Sequence, residues 1–414
     1  DIDDFAIVSG EKTAYYQYGK FDNNGFKVYE DDLAAIIYTS GTTGKSKGVM
    51  LSHRNICFTV HSSGILQPIE PSDRFLSLLP LSHTYENSLG FLLPVFNGAS
   101  VYYMKQAAAP SVMLKALKEV KPTMMLTVPM IIEKIYRNRI APSFKKNKLI
   151  ARLYRNHNIK MLLHRIAGKK LMKTFGGKIR FFGVGGAKLD PVVEQFLLDA
   201  RFPLAIGYGL TETAPLLAGT SPRTARLQST GPAIQGVELK INNPDAETGV
   251  GEIWARGKNV MMGYYKEPEI TAEVITPDGW FRTGDLGVLS ADGFLSIRGR
   301  NKNVILGSGG ENIFPEDIES LINNFDHVVE SLVVEENGGL VALVHFNKEE
   351  IEQRYNDIYD KVSDYSDRKI EELKAELQIY INKQVSKYAR LNKVIYKPTP
   401  FEKTATQKIK RFLY

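Results

Sequence analysis

A single cysteine, Cys57, is all that 414 residues offer. That excludes an internal disulfide framework and any zinc cluster built on cysteine. Long apolar runs are missing too, none approaching the ~18–20 uninterrupted residues of a membrane span. The opening Asp1-Ile2-Asp3-Asp4 resembles no signal peptide and lacks an initiating Met, so the sequence reads as a fragment of a reducing-compartment protein. No internal repeat and no low-complexity tract stands out. Acidic residues are absent between Lys134 and Lys188, where 16 Lys and Arg fall, and the remainder holds 37 basic against 46 acidic residues. The formal net charge of +7 is therefore one local patch and gives no general charge for binding nucleic acid. With 43% hydrophobic and 24% charged residues, the chain is neither mostly disordered nor collagen-like. Its length exceeds the ~250–300 residues at which single cores stop growing, so at least two domains are expected.

The first two hundred residues alternate short apolar runs with helical patterns. Leu33–Tyr38 reads as a buried strand, and Arg74–Leu79, Ala99–Met104, Thr123–Val128 and Lys178–Val184 read as further strands. An apolar helix over Leu89–Phe96 and a helix from Ser111 through Val120 lie between them, and an Asp190-Pro191 helix start follows the last. Such alternation predicts a parallel α/β sheet. From Gly207 to Arg300, short β-like runs are broken by turn signals such as Asp278-Gly279 and Asp292-Gly293, which predicts a small antiparallel β unit. Beyond Arg300 a compact α+β segment carries Ile370, Leu373, Leu377 and Ile381 at helical spacing.

Tyr38-Thr39-Ser40-Gly41-Thr42-Thr43-Gly44-Lys45-Ser46-Lys47-Gly48 is the most informative stretch. Gly44-Lys45-Ser46 invites a P-loop reading, but that motif needs Gly five positions before Gly44, where Thr39 stands. Phosphate chemistry still suits the loop. Its glycines let backbone N–H groups approach an anion, Thr39, Ser40, Thr42 and Thr43 offer hydroxyls, and Lys45 and Lys47 add charge. A solvated Gly/Thr turn is the plain alternative; so many hydroxyls after an apolar strand favour phosphate.

The stretch resembles the signature loop of the adenylate-forming (AMP-binding) superfamily. Four later runs resemble that family's further motifs: Gly207-Tyr208-Gly209-Leu210-Thr211-Glu212-Thr213, Gly279–Gly287, Gly299–Asn303 and Lys403–Arg411. The resemblance extends over about Leu33 to Arg411. It departs from the usual pattern at Ser46, where the family has Pro, and at Gln407, where it has Gly. The family also carries a longer segment before the first loop, whereas 37 residues precede Tyr38 here.

The resemblance implies a reaction in which a carboxylate attacks ATP to give an acyl-adenylate and pyrophosphate, with Mg²⁺ bridging the phosphates. Thr39, Ser40, Gly41, Thr42, Thr43, Gly44 and Lys47 would hold the β- and γ-phosphates. Tyr208 offers an aromatic face to adenine beside Gly209, Gly186 and Ala187. Thr211 suits the α-phosphate, and Glu212 is a hard oxygen ligand for the metal. Asp285 and Arg300 would take the ribose hydroxyls. Lys408 would bridge carboxylate and α-phosphate during the reaction, with Lys403 and Lys410 as nearby decoys. Lys302 would be the hinge of a mobile C-terminal domain, and Gly309, Gly310 and Glu311 would meet coenzyme A. The implied architecture has a large domain over 1–300, its α/β part about 1–206 and a β-barrel-like part about 207–300. A hinge at 301–303 and an α+β domain over 304–414 complete it.

Pro80-Leu81-Ser82-His83-Thr84-Tyr85-Glu86, with Glu three residues after His, resembles the long-chain fatty acyl-CoA synthetase branch. His83, Gly185 and Gly186 would then border the acyl channel, with His83 equally readable as a core histidine. The implied substrates are a fatty acid, ATP and coenzyme A. Other readings are a fatty acyl-AMP ligase, another acid–thiol ligase, or a nucleotide-binding fragment without turnover. In the basic stretch, Ile159, Leu162, Leu163 and Ile166 are taken as one helical face, with Arg152, Arg155, Lys160, Arg165, Lys169 and Lys170 around it. That pattern suits peripheral contact with the inner face of a membrane from the cytoplasm. A solvated helix packed by its apolar stripe, or attraction of polyanionic substrates, explains the same residues.

Overall fold

Short, largely apolar runs pair into the parallel centre of a seven-stranded sheet. In this computed structural model the strand order is Phe5–Ala6, Ser100–Met104, Arg74–Ser77, Met124–Thr127, Phe181–Val184, Leu204–Gly209 and Leu216–Gly219. The inner five strands are parallel, and the two outermost join antiparallel. The structure describes residues 5–6, 27–40, 46–104, 110–145, 147–307, 309–355, 362–403 and 409–414. The chain divides into two units, one of residues 1–39, 46–283 and 288–297, the other of 40–45, 284–287 and 298–414.

The central parallel strands are covered on both faces and read as apolar runs without alternation; Met124–Thr127 is buried throughout and Phe181–Val184 nearly so, while Ser100–Met104 further out is only half-buried. Phe175, Phe182 and Phe202 meet edge to face, with centroids 5.3–5.9 Å apart. Asp190 caps helix Pro191–Asp199 as its sequence suggests. Its Oδ1 accepts from the amides of Val192 at 2.9 Å and Val193 at 3.2 Å, with Pro191 at the first helical position. At the N-terminal ends of three strands, Asp73 ties the sheet together. Its carboxylate accepts from Arg180 Nε at 2.8 Å, Thr123 Oγ1 at 2.7 Å and the Glu70 amide at 2.8 Å. Burial alone would raise the Asp73 carboxyl, but Arg180 and the other donors outweigh it and hold it below the usual range.

Two expectations change. Leu33–Tyr38 does lie in a strand, Leu33–Ser40, but at the edge of a separate three-stranded sheet, with Leu33 46% and Tyr38 64% exposed. An apolar run there caps the side of a sheet instead of filling its centre. The helix expected over Leu89–Phe96 begins earlier. It is a π-helix over Tyr85–Leu92 that passes into an α-turn over Leu93–Phe96. Pro94 has no N–H to give the carbonyl four residues back, and the carboxyl of Glu86 folds over Gly90. A Cβ at Gly90 would stand 2.5–2.7 Å from that carboxyl. Glu86 is 1% exposed, and burial pushes its carboxyl up to about 7, against a hydrogen bond with Ser77.

In the β-rich stretch, Val237–Asn242 pairs antiparallel with Gly251–Gly257, within a four-stranded sheet completed by Phe281–Leu289 and Leu295–Arg300. The second unit holds a hairpin, Val328–Glu336 with Gly339–Phe346, joined in parallel by Leu391–Tyr396. Helix Val362–Asn382 lies in that crossover, and Ile370, Leu373, Leu377 and Ile381 are all buried on its core face.

Two stability measurements follow from these buried acids. Asp73→Asn should cost about 3 kcal/mol at pH 7, because it strands Arg180 beside a neutral amide; equilibrium urea unfolding measures it. A raised carboxyl acts in the opposite sense. The stability that neutral Glu86 contributes is complete below the unfolded value of ~4.3 and is lost as pH rises towards 7. Glu86→Gln should therefore flatten the decline in unfolding free energy between pH 5 and 8 by about 1–3 kcal/mol.

Candidate functional site

Parallel pairing places the C-terminal ends of adjacent strands at one edge, the usual binding edge of an α/β sheet. His83 and Tyr85 follow strand Arg74–Ser77, Gly185–Ala187 follow Phe181–Val184, and Thr211 and Glu212 follow Leu204–Gly209. Gly185 donates to the Thr127 carbonyl at 3.1 Å, at the end of the strand between them. Gly186 takes φ +84°, a conformation that favours glycine. Tyr85 was not singled out from sequence, yet it packs at this turn. Its hydroxyl donates to the Gly183 carbonyl at 3.2 Å, and a Cβ on Gly185 would stand 3.3 Å from its ring. Burial lowers His83, which favours the neutral imidazole.

The run after Tyr208 is fixed by close backbone approach. A Cβ at Gly209 would lie 1.8 Å from the Pro215 carbonyl oxygen, so no other residue fits. Tyr208 pairs with Ala218 across the strands and is half-buried. Thr211–Thr213 makes a 3₁₀ turn in which the Thr213 hydroxyl accepts from the Leu210 amide at 3.0 Å and donates to the Pro215 carbonyl at 2.6 Å. Asn259, fully buried, donates to the carbonyls of Thr213 and Leu216 at 3.2 and 2.8 Å.

Glu212 is held from the other side of the sequence. Strand Ser46–Ser52, which continues from the Gly/Thr loop, pairs with Gly263–Tyr264, matching Val49 to Tyr264. Tyr264 donates its hydroxyl to Glu212 Oε1 at 2.9 Å, and Lys47 Nζ stands 4.9 Å from the centre of the Tyr264 ring. The Met261 amide also donates to the Glu212 carbonyl at 2.9 Å. A cation over the ring face is attracted by the ring quadrupole and polarises the phenol towards donating. Lys47 and Glu212, both singled out from sequence, are thus joined through Tyr264, which was not. A Tyr in Gly263-Tyr264-Tyr265 is ordinary strand composition, and nothing local signals its partner. Asn259 gave no signal either. Among the described residues no three His, Cys, Asp or Glu side chains gather as a metal cage. A Mg²⁺ carried on phosphates commonly takes one or two carboxylates, and an oriented Glu212 fits that donor set.

Thr39 is half-buried in strand Leu33–Ser40. Gly41, Thr42, Thr43, Gly44 and Lys45 lie outside the described residues, as do the Ser40 side chain and Lys408.

In the second unit Arg300 Nε stands 3.2 Å from Asp285 Oδ1, with the Asp285 side chain 8% exposed. The guanidinium orients the carboxylate, a group able to accept several hydrogen bonds at once. Lys302 sits on the 3₁₀ turn Asn301–Asn303. Ile305–Leu306 and Asn312–Ile313 form a short hairpin, in which Gly307 donates to the Glu311 carbonyl at 2.8 Å and Gly309 to Glu311 Oε2 at 3.1 Å. Gly310 takes φ +86°. A bridge between Lys403 and Ile409 flanks the Lys408 position. The two neighbouring cations are engaged, Lys403 with Glu330 and Lys410 with Glu402. Arg411 pairs with Glu319, whose carboxyl burial pushes up to about 7 against the pull of Arg411.

The model of the AMP-binding enzyme family matches residues 8–265. The chain is 33% identical over 316 residues to the long-chain-fatty-acid–CoA ligase ACSBG2 of Gallus gallus, covering 70% of this chain and 41% of that protein. It is 33% identical over 337 residues to long-chain-fatty-acid–CoA ligase 1 of Saccharomyces cerevisiae, covering 75% and 48%. It thus spans less than half the length of these curated relatives. Among solved structures, ATP-bound MatB from Rhodopseudomonas palustris is 26% identical with a TM-score of 0.72, covering 94% of this chain and 68% of that one. The o-succinylbenzoate coenzyme A synthetase of Bacillus subtilis, in complex with ATP and magnesium ion, is 26% identical with a TM-score of 0.71, covering 93% and 70%. The chain belongs to the AMP-binding enzyme family, with an α/β architecture like that of adenylate-forming ligases.

Proposed function

We propose that the protein joins a long-chain fatty acid to coenzyme A in two steps. The observation that carries this reading is Glu212, oriented by Tyr264 at the edge where four strand-end loops meet, with Lys47 over the same ring. In the first step a carboxylate oxygen attacks the α-phosphorus of ATP and pyrophosphate leaves. In the second the coenzyme A sulfur attacks the acyl carbonyl, its proton is lost and AMP leaves.

The residues divide the work. Thr39 to Gly44 and Lys47 hold the β- and γ-phosphates, and Thr211 meets the α-phosphate. Tyr208, Gly209, Gly186 and Ala187 bound the adenine, while Asp285 and Arg300 hold the ribose. A magnesium ion, when bound, neutralises charge across the phosphates, and Glu212 is the carboxylate to hold it. Lys408 stabilises the charge that builds at the α-phosphate. Lys302 is the hinge, and Gly309, Gly310 and Glu311 meet the pantetheine arm. Neutral His83, Tyr85 and the glycines at 185 and 186 line the acyl entrance, where small residues suit a thin chain.

Palmitate-dependent exchange of labelled pyrophosphate into ATP tests the first step. The wild-type chain should exchange without coenzyme A and form the thioester with it; folded protein that does neither overturns the reading. Glu212→Gln should slow exchange by about 10²–10³-fold. Tyr264→Phe keeps the ring under Lys47 but removes the donor to Glu212, and should cost about tenfold or more. Lys408→Ala should lose exchange while still converting supplied palmitoyl-adenylate to palmitoyl-CoA; equal loss of both half-reactions would sink the role given to Lys408.

A further inference from the structure

The acid-free stretch folds into consecutive helices of the first unit, among them Lys148–Leu153 and, three residues later, His157–Thr174. Ile159, Leu162, Leu163 and Ile166, taken together as one helical face, differ in burial: Ile159 and Leu163 are half-buried, Leu162 and Ile166 exposed. Leu163 and Ala167 pack against the core with buried His164 and Leu171, whereas Leu162 is 57% and Ile166 45% exposed. Gly168 lies so close to the end of the neighbouring helix that a Cβ there would stand 2.6 Å from the Ala200 Cβ. His164 is pinned by Asp199 Oδ2 at 2.8 Å through Nδ1 and by the Tyr154 hydroxyl at 2.7 Å through Nε2. The helix therefore packs without Leu162 and Ile166.

At 100° per residue, Leu162, Arg165, Ile166, Lys169, Lys170 and Lys173 fall within an arc of about 140°. All six are exposed, and they lie opposite His164, Ala167 and Leu171. The shorter helix repeats the composition, with Lys148, Leu149, Arg152 and Leu153 exposed, Leu149 at 62%. Branched apolar side chains set among cations, with no acid anywhere in the stretch, match a surface that is anionic at its rim and hydrocarbon beneath. Nucleic acid would call for accessible rings to stack on bases, but Phe144 and Tyr154 stack on each other at 4.8 Å, with Lys160 over the Tyr154 ring.

We infer that the outward face of helix His157–Thr174, with that of helix Lys148–Leu153, docks on an anionic lipid bilayer, the leucines and isoleucine entering the acyl-chain boundary and the cations meeting headgroups. This surface is separate from the strand-end site and does not depend on the proposed reaction. Co-sedimentation with phosphatidylcholine vesicles, with and without 30% phosphatidylserine, tests it. The wild-type chain should partition at least tenfold better into the anionic vesicles and be released by 0.5 M NaCl. Lys169→Gln with Lys170→Gln and Lys173→Gln should weaken binding by roughly a hundredfold, at about fivefold for each lysine removed. Leu162→Ser with Ile166→Ser should weaken it about tenfold with the charge unchanged. Circular dichroism and thermal unfolding confirm that each variant is folded, and pyrophosphate exchange is scored separately, so loss of the catalytic reading leaves this result intact. Equal binding to neutral vesicles, no effect of the Leu162/Ile166 pair, or displacement from vesicles by duplex DNA at equal charge would overturn the inference.

Discussion

Parallel pairing between strands Arg74–Ser77, Met124–Thr127, Phe181–Val184 and Leu204–Gly209 is the constraint from which the site follows. Parallel strands must return by crossovers, so every loop leaving a strand end emerges at the same edge. Thr127, Gly185 and Gly207 are brought together through backbone alone, Gly185 donating to the Thr127 carbonyl and lying against the Gly207 carbonyl. What remains for local chemistry is fine adjustment. A carbonyl 1.8 Å from where a Cβ would stand leaves only glycine at 209, and this sets the start of the turn that presents Thr211 and Glu212. The Thr213 hydroxyl and the Asn259 amide then bind the turn's backbone.

Glu212 illustrates a second level of control, across sequence rather than along it. Its carboxylate is oriented by a phenol on a strand 52 residues downstream, and that strand is registered against the continuation of the Gly/Thr loop. A shift of one residue in that pairing would turn Tyr264 to the opposite face, because side chains alternate along a strand. The geometry of an acid in one motif thus depends on the register of another. A carboxylate left mobile would meet a cation by chance; one fixed by a hydrogen bond is ready before the ligand arrives.

How much of this was legible in the sequence depends on the range of each interaction. The strand–helix alternation, the Asp190 cap and the buried spacing of Ile370, Leu373, Leu377 and Ile381 are set by neighbours a few residues apart, and all are present in the structure. The edge position of Leu33–Ser40 was not legible, since an apolar run has the same composition at the rim of a sheet as in its centre. Tyr264 and Asn259 escaped because their partners are brought by pairing between distant strands. Tyr85 lay within a run already singled out, two residues from His83, but only its approach to Gly185 shows that it shapes the turn. The π-turn at Tyr85–Leu92 was likewise hidden, although Pro94 and Gly90 together carry its cause.

In the basic helix, periodicity alone leaves open which flank is buried. Ile159, Leu162, Leu163 and Ile166 span about 100° of helix surface, so the pattern fits burial of either flank. A buried His164 decides between them. Imidazole on an otherwise apolar helix face is costly unless both nitrogens find partners, and Asp199 and Tyr154 supply both. Burial outweighs the pull of Asp199 and lowers the imidazole, so the ring sits as a neutral link instead of adding to the surrounding positive charge. Once the helix is held this way, its outward composition is released from any packing duty. Like charges spaced three and four residues apart repel and weaken a helix, and exposed leucines gain nothing from water. A face that carries both at the expense of local stability is accounted for by what meets it, not by the fold it belongs to.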